Sequence, residues 1–196
     1  EIGVYEMTGK GLREILNPSE LLINQQPADL SGSAIAANME GNRPLLIEVQ
    51  ALVSSAVYGT PQRTSTGFDT RRLSMLLAVL EKRASFKLAS KDVYLNIAGG
   101  LRVDDPAIDL AVVAAILSST VDIPVDADTC FAGELGLSGE IRPVTRIEQR
   151  LGEADKLGMK RIIMPGFHRK NADPGRFDLE IIEMNRVQDL PRHLFG

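Results

Sequence analysis

The run Asp109-Leu110-Ala111-Val112-Val113-Ala114-Ala115-Ile116-Leu117-Ser118-Ser119 constrains the fold more than any other stretch of the chain. As a helix it is apolar nearly all round rather than along one stripe, so other elements must enclose it. Asp105 offers a capping carboxylate just upstream, and Pro106 suits the first helical position, where an N–H has no partner anyway. The apolar core of the run, Leu110 to Leu117, falls well short of the roughly 18 residues of a membrane span. The expectation is a helix at the centre of a layered domain, with no membrane partner.

The flanking patterns say what the layers are. Ser33 to Met39 and Leu45 to Val53 read as a hairpin across Glu40-Gly41-Asn42-Arg43, with Ile47, Val49, Ala51 and Val53 on the buried face. Asp69 precedes a helix whose Leu73, Leu76, Leu77, Leu80 and Ala84 fall at helical spacing. Val93, Leu95 and Ile97 mark a strand running into Gly99-Gly100. Cys130 to Glu134 reads as a strand, Gly136 to Gly139 as a tight turn and Glu140 to Arg142 as the return. Thr145 and Glu148 suit a capping box for a helix ending at Gly158. Lys160 to Met164 and Glu180 to Glu183 are further strands, followed by a closing helix. Ser54 to Gly67 is expected to be a long polar loop. Hairpins interleaved with helices predict an α+β fold of mixed α/β layers.

Toward the amino end, Glu1 to Met7 looks like a strand and Thr8 to Glu20 like a connector ending in the turn signal Asn17-Pro18. Gln25 to Gly32, with Pro27, is the best linker candidate. The division expected is therefore 1–30 as tail and linker and 31–196 as the globular body. The chain opens on Glu1 with no signal peptide visible, which suggests a piece of something longer. A net charge of -4 does not advertise nucleic-acid binding, so any such contact needs a local basic patch. The lone Cys130 supports neither a disulfide nor a metal cluster and fits the reducing cytoplasm.

Two segments carry chemistry. The first is Gly99-Gly100-Leu101-Arg102-Val103-Asp104-Asp105-Pro106-Ala107-Ile108-Asp109, and the second Gly133-Glu134-Leu135-Gly136-Leu137-Ser138-Gly139-Glu140, leading through Pro143 to the helix with Arg150. In order, spacing and context they resemble the proteolytic domain of Lon proteases, over roughly residues 31–166. That resemblance implies a Lon-proteolytic-domain-like fold. It also places a serine nucleophile at Ala107 and its lysine base at Arg150. Alanine has no nucleophile, and arginine stays protonated and cannot act as the base. The expectation is a degenerate dyad with no catalytic residue and no peptide cleavage by this chain. The alternative is an ATP-dependent serine protease domain or a peptide-binding remnant of one.

Further matches run along the chain: Glu1-Ile2-Gly3-Val4-Tyr5-Glu6-Met7, Gly9-Lys10-Gly11-Leu12, the segment from Arg43 to Val53, Arg63-Thr64, Leu80 to Ala84 and Arg146 to Arg150. They resemble a family of bacterial DNA-repair ATPases that joins a RecA-like core to a Lon-like domain. The resemblance implies that residues 1–30 hold the tail of that ATPase core. It also implies that the parent acts on DNA, migrates recombination branches, assembles as a homohexamer and works with the RecA recombinase. ATP, Mg and Zn belong to the family's zinc finger, Walker motif and Lys-Asn-Arg-Phe-Gly motif, none of which occurs in this sequence, so no cofactor or metal is expected in it.

Asp109 and Arg150 are expected to pair where an active protease keeps its dyad. Arg43, Arg63, Arg71, Arg72 and Arg142 are the candidate DNA contacts, since the guanidinium fork suits phosphate. Asp104, Asp105 and Asp109 read as caps and dipole partners rather than metal ligands. His168 and His193 receive no role.

Overall fold

The computed structural model describes residues 5–9, 11–15, 18–23, 30–56, 59–166 and 176–196. A seven-stranded mixed sheet forms the frame. Its strands, in chain order, are β3 (Ser33–Glu40), β4 (Arg43–Ser55), β5 (Arg63–Thr66), β6 (Lys91–Ile97), β7 (Thr129–Phe131), β10 (Arg161–Met164) and β11 (Glu180–Glu183). They lie side by side as β11-β10-β7-β3-β4-β6-β5. The pairs β3·β4 and β4·β6 are antiparallel and the other four neighbours are parallel.

Alternation along β3 and β4 sorts side chains onto two faces. Ala34, Ala36, Leu45, Ile47 and Val49 face α2 (Thr70–Arg83), α3 (Asp109–Val121) and α5 (Leu190–Phe195). Ile35, Ala37 and Leu46 face α4 (Ile147–Lys156). Helix α3 is enclosed as its composition demands: every residue from Asp109 to Ser118 is buried. The Asp69 carboxylate caps α2 by accepting from Arg72 N at 2.9 Å. Gly41 turns the β3–β4 hairpin with a positive φ of 58°.

Four expectations change. The polar loop of 54–67 contains the edge strand β5, paired in parallel with β6 through Thr64↔Tyr94 and Ser65↔Leu95. Its polar sequence carries no strand signal because one side of it has no strand neighbour. The strand from Cys130 breaks after Phe131, where Ala132 N turns to Ile163 O and Gly133 N to Ala107 O, before β8 (Glu134–Leu135) pairs with β9 (Ile141–Arg142). The capping box at Thr145 and Glu148 is replaced by Arg146, which enters α4 at φ 58° with no side-chain cap. A single 3₁₀ turn, Pro106–Ile108, precedes α3.

At the amino end β1 (Tyr5–Thr8) and β2 (Gly11–Glu14) form a separate hairpin, and α1 (Ser19–Leu22) follows. Helix α1 is seated on the body. The buried Ser19 hydroxyl donates to Glu153 Oε1 at 2.7 Å and accepts from Leu46 N at 3.1 Å. Residues Glu1 to Val4, Asn17, most of the expected linker and His168 lie outside the described residues. No described helix is long and apolar enough to cross a membrane.

Candidate functional site: two arginine–aspartate pairs around Ala107

Strand β6 delivers the chain to Gly99 and Gly100, both at positive φ. A Cβ at Gly99 would also meet the end of the Leu22 side chain of α1, which would have to shift. The loop is then fastened by Val103 N donating to Gly67 O at 2.8 Å. It arrives at Asp105, whose carboxylate joins three elements. Oδ1 caps the 3₁₀ turn by accepting from Ala107 N at 3.0 Å. Oδ2 accepts from Met39 N of β3 at 2.9 Å and from Arg150 Nη1 of α4 at 2.7 Å.

Arg150 is the largest fully buried side chain among the described residues, with 1% of it exposed against 12% of Asp105. Its Nη1 also donates to Ala37 O at 2.5 Å and its Nε to Thr145 O at 3.0 Å. Ala107 is wholly buried, and Gly133 N, between β7 and the next hairpin, donates to its carbonyl at 2.9 Å.

A second pair lies one turn further along. Asp109, the first residue of α3 and wholly buried, accepts from Arg72 Nε at 3.0 Å, from Arg72 Nη2, and from Leu135 N at 2.9 Å. Arg72 Nη2 also reaches Leu135 O at 3.4 Å. Burial pushes the Asp109 carboxyl above its ordinary range, opposed by Arg72 and the Leu135 N–H. The hydrogen bond to Asp109 in turn raises Arg72. The base of the β8–β9 hairpin is thereby tied to both α2 and α3.

The expected Asp109–Arg150 pair does not form. Asp105 sits ahead of the helix, where β3 and α4 converge, and takes Arg150; Asp109 faces α2 and β8 and takes Arg72. Asp104 approaches Arg102 at 3.5 Å on the surface, so the three aspartates turn to three different arginines. Among the described residues no group of three or more His, Cys, Asp or Glu could hold a metal ion. Burial pushes the Cys130 thiol up to about 12, which leaves it without thiolate character at neutral pH.

The five arginines expected at DNA are not equivalent. Arg72 is committed to Asp109, and Arg142 donates to Glu140 Oε1 from Nε at 3.0 Å and from Nη2 at 2.5 Å. Arg63 opens β5 and Arg71 lies in the first turn of α2; both are exposed, and their elements are joined through the Ser65–Thr70 hydroxyl contact of 2.6 Å. Arg43 is half-buried beside the β3–β4 turn, in the part of β4 that does not pair with β6. Sequence reasoning missed Arg146, whose Nη1 donates to Gly41 O at 2.6 Å. No local pattern announces a left-handed arginine. His193 is exposed on α5.

The fold is a mixed α/β domain in which a glycine loop leads to a buried helix. The model of the family described as "Subunit ChlI of Mg-chelatase" matches residues 49–167, which include β6, the loop, α3, the β8–β9 hairpin and α4, and the chain belongs to that family. Among individual proteins it is similar to DNA repair protein RadA of Bacillus subtilis, 53% identical over 165 residues that cover 84% of this chain and 36% of the relative. DNA repair protein RadA of Streptococcus pneumoniae is 47% identical over 199 residues, covering all of this chain and 46% of that protein. The same-named protein of Streptococcus pyogenes serotype M3 is 50% identical over 196 residues, 100% of the chain and 43% of the relative. The chain thus spans less than half the length of the curated relatives it matches.

Proposed function

We propose that this chain is a non-proteolytic, Lon-protease-like domain of a RadA-type DNA-repair protein, serving as a scaffold and DNA-contacting body rather than as a catalyst. The observation that carries this reading is the pair of positions where a Lon-type dyad would stand. Ala107 offers no nucleophile and is sealed from solvent, and Arg150 is bound by Asp105, Ala37 O and Thr145 O. Proton abstraction needs a base that can lose its proton and a hydroxyl within reach, and neither is supplied here.

On this reading residues 1–30 are the tail of an ATPase core, and the body from residue 31 supports a homohexameric ring in the cytoplasm. Branch migration, ATP hydrolysis with Mg, zinc binding and partnership with RecA belong to the complete protein. DNA contact by the body falls to Arg63 and Arg71, the two candidates that stand exposed outside the buried pairs and the Glu140 contact.

Incubation with an unfolded protein substrate, beside an Ala107→Ser/Arg150→Lys variant, tests the catalytic half. No cleavage by the natural chain is expected, and cleavage would overturn the reading. Anisotropy of labelled duplex DNA at fixed salt tests the other half. Arg63→Ala/Arg71→Ala is expected to weaken binding and flatten its salt dependence.

A further inference from the structure

Leu137 is the most exposed large apolar residue of the body among the described residues, 66% accessible, and it stands at the tip of the turn Gly136–Gly139 between β8 and β9. The core gives no reason for a leucine there. The turn that carries it is built to be stiff. Gly136 N donates to Glu140 O at 2.9 Å, Gly139 N to Gly136 O at 3.0 Å, and Ser138 N to Glu140 Oε2 at 3.0 Å. A side chain at Gly136 would collide with the Glu140 carboxylate, so that carboxylate is folded back over the turn. At its base the hairpin is held by Asp109 through Leu135 N and by Arg72 through Leu135 O.

Two exposed arginines, Arg83 and Arg186, stand on elements that meet this hairpin. A Cβ on Gly139 would lie 3.2 Å from Arg83 Cβ and 3.3 Å from Val187 Cγ1, which brings the end of α2 and the start of the 3₁₀ turn Val187–Asp189 against the hairpin. Arg186 is bridged to Glu140 in antiparallel register, and Arg142 follows on β9. Arg83, Arg142 and Arg186 are all exposed. The hairpin's own carboxylates are turned to protein partners: Glu140 to Arg142 and Ser138 N, and Glu134 toward Arg72 at 3.9 Å.

We infer that the β8–β9 hairpin is a nucleic-acid wedge, in which Leu137 abuts the last base pair at a junction between paired and unpaired DNA while Arg83 and Arg186 hold the flanking phosphates. An apolar side chain on a rigid tip can unstack a base step, and arginines beside it offset the phosphate charge of the bent or opened strands. A polyanion is favoured over a protein partner because Arg83 and Arg186, both exposed, stand on the elements that meet this hairpin. The inference rests on the DNA-contacting reading above and adds to it a form of DNA and a place on the surface.

The test uses the whole chain and a forked duplex carrying 2-aminopurine at the junction, with a blunt duplex as control. Binding of the natural chain should raise the 2-aminopurine fluorescence on the fork. Leu137→Ala should abolish that rise and leave the salt slope of binding unchanged. Arg83→Ala/Arg186→Ala should reduce the slope by about 2, one for each phosphate no longer neutralised. Natural-chain binding with slope and fluorescence unaltered by either variant would sink the wedge and leave the DNA reading standing. No binding by the natural chain sinks both. A Leu137→Ala variant that changes self-association in sedimentation, with DNA behaviour intact, assigns the tip to a protein interface and overturns the proposal.

Discussion

The two arginine–aspartate pairs share a chemistry and are opposites in how they are buried. In Asp105–Arg150 the arginine is the enclosed member; in Asp109–Arg72 the aspartate is, with 27% of the Arg72 side chain exposed. A guanidinium deprived of its partner keeps its charge, whereas a buried carboxylate can take up a proton and become neutral. Losing the partner should therefore be worse for the first pair, although both hold one loop.

The largest effect should come from Asp105→Ala, which strands the Arg150 charge and releases Met39 N and Ala107 N together. A loss of about 3–5 kcal/mol is expected in denaturant unfolding, the range for breaking a buried pair. A loss near 1 kcal/mol would mean that Ala37 O and Thr145 O alone satisfy Arg150.

Next comes Arg72→Ala, expected to destabilise by about 1–3 kcal/mol at neutral pH. Its signature is the pH dependence. Asp109 already sits above its ordinary range through burial, and without Arg72 it rises further. The native state then binds a proton more tightly than the unfolded chain, so the penalty should shrink as pH falls toward the ordinary carboxylate range. A penalty independent of pH would show that Asp109 stays ionised without its partner.

Asn38 supplies a contrast to both pairs: it is buried on β3, and among the described residues neither its Oδ1 nor its Nδ2 has a hydrogen-bond partner. Asn38→Leu should stabilise by about 1 kcal/mol, because it removes a desolvated polar group at nearly constant shape. Destabilisation would identify the amide as a packed requirement of the loop. The smallest effect belongs to Asp69, which touches Arg72 through the backbone and is exposed. The Arg72 N–H holds its carboxyl below the usual range. Its contribution is present above that range and fades as pH falls through it, the reverse of Asp109. Asp69→Ala should remove that acid limb from a thermal-unfolding series.

Much of this was legible because local chemistry determined it. The all-round apolar α3, the caps at Asp69 and Asp105 and the β3–β4 hairpin each follow from residues a few positions apart. The pairings were not legible, since Arg72 and Asp109 are 37 residues apart and Arg150 and Asp105 are 45 apart. A charge on a buried stripe says that a partner exists, and the sheet order decides which one. Strand β5 was missed for a related reason: Arg63–Thr66 has no apolar alternation, and only its pairing with β6 makes it a strand. Leu137 was visible inside the glycine motif, yet nothing in the sequence distinguishes an exposed leucine from a buried one.

The sheet order also sets a timetable for folding. Strands β3, β4, β5 and β6 adjoin one another within a continuous stretch of chain, while β3 meets β7, and β7 meets β10, only after long crossovers. Contacts close in sequence form faster than distant ones. Amide protection should therefore rise first in β3, β4 and β6 during refolding and later in β7, β10 and α4. Arg150 would reach the waiting Asp105 only when that second half docks, so closing this pair would mark the completion of the fold.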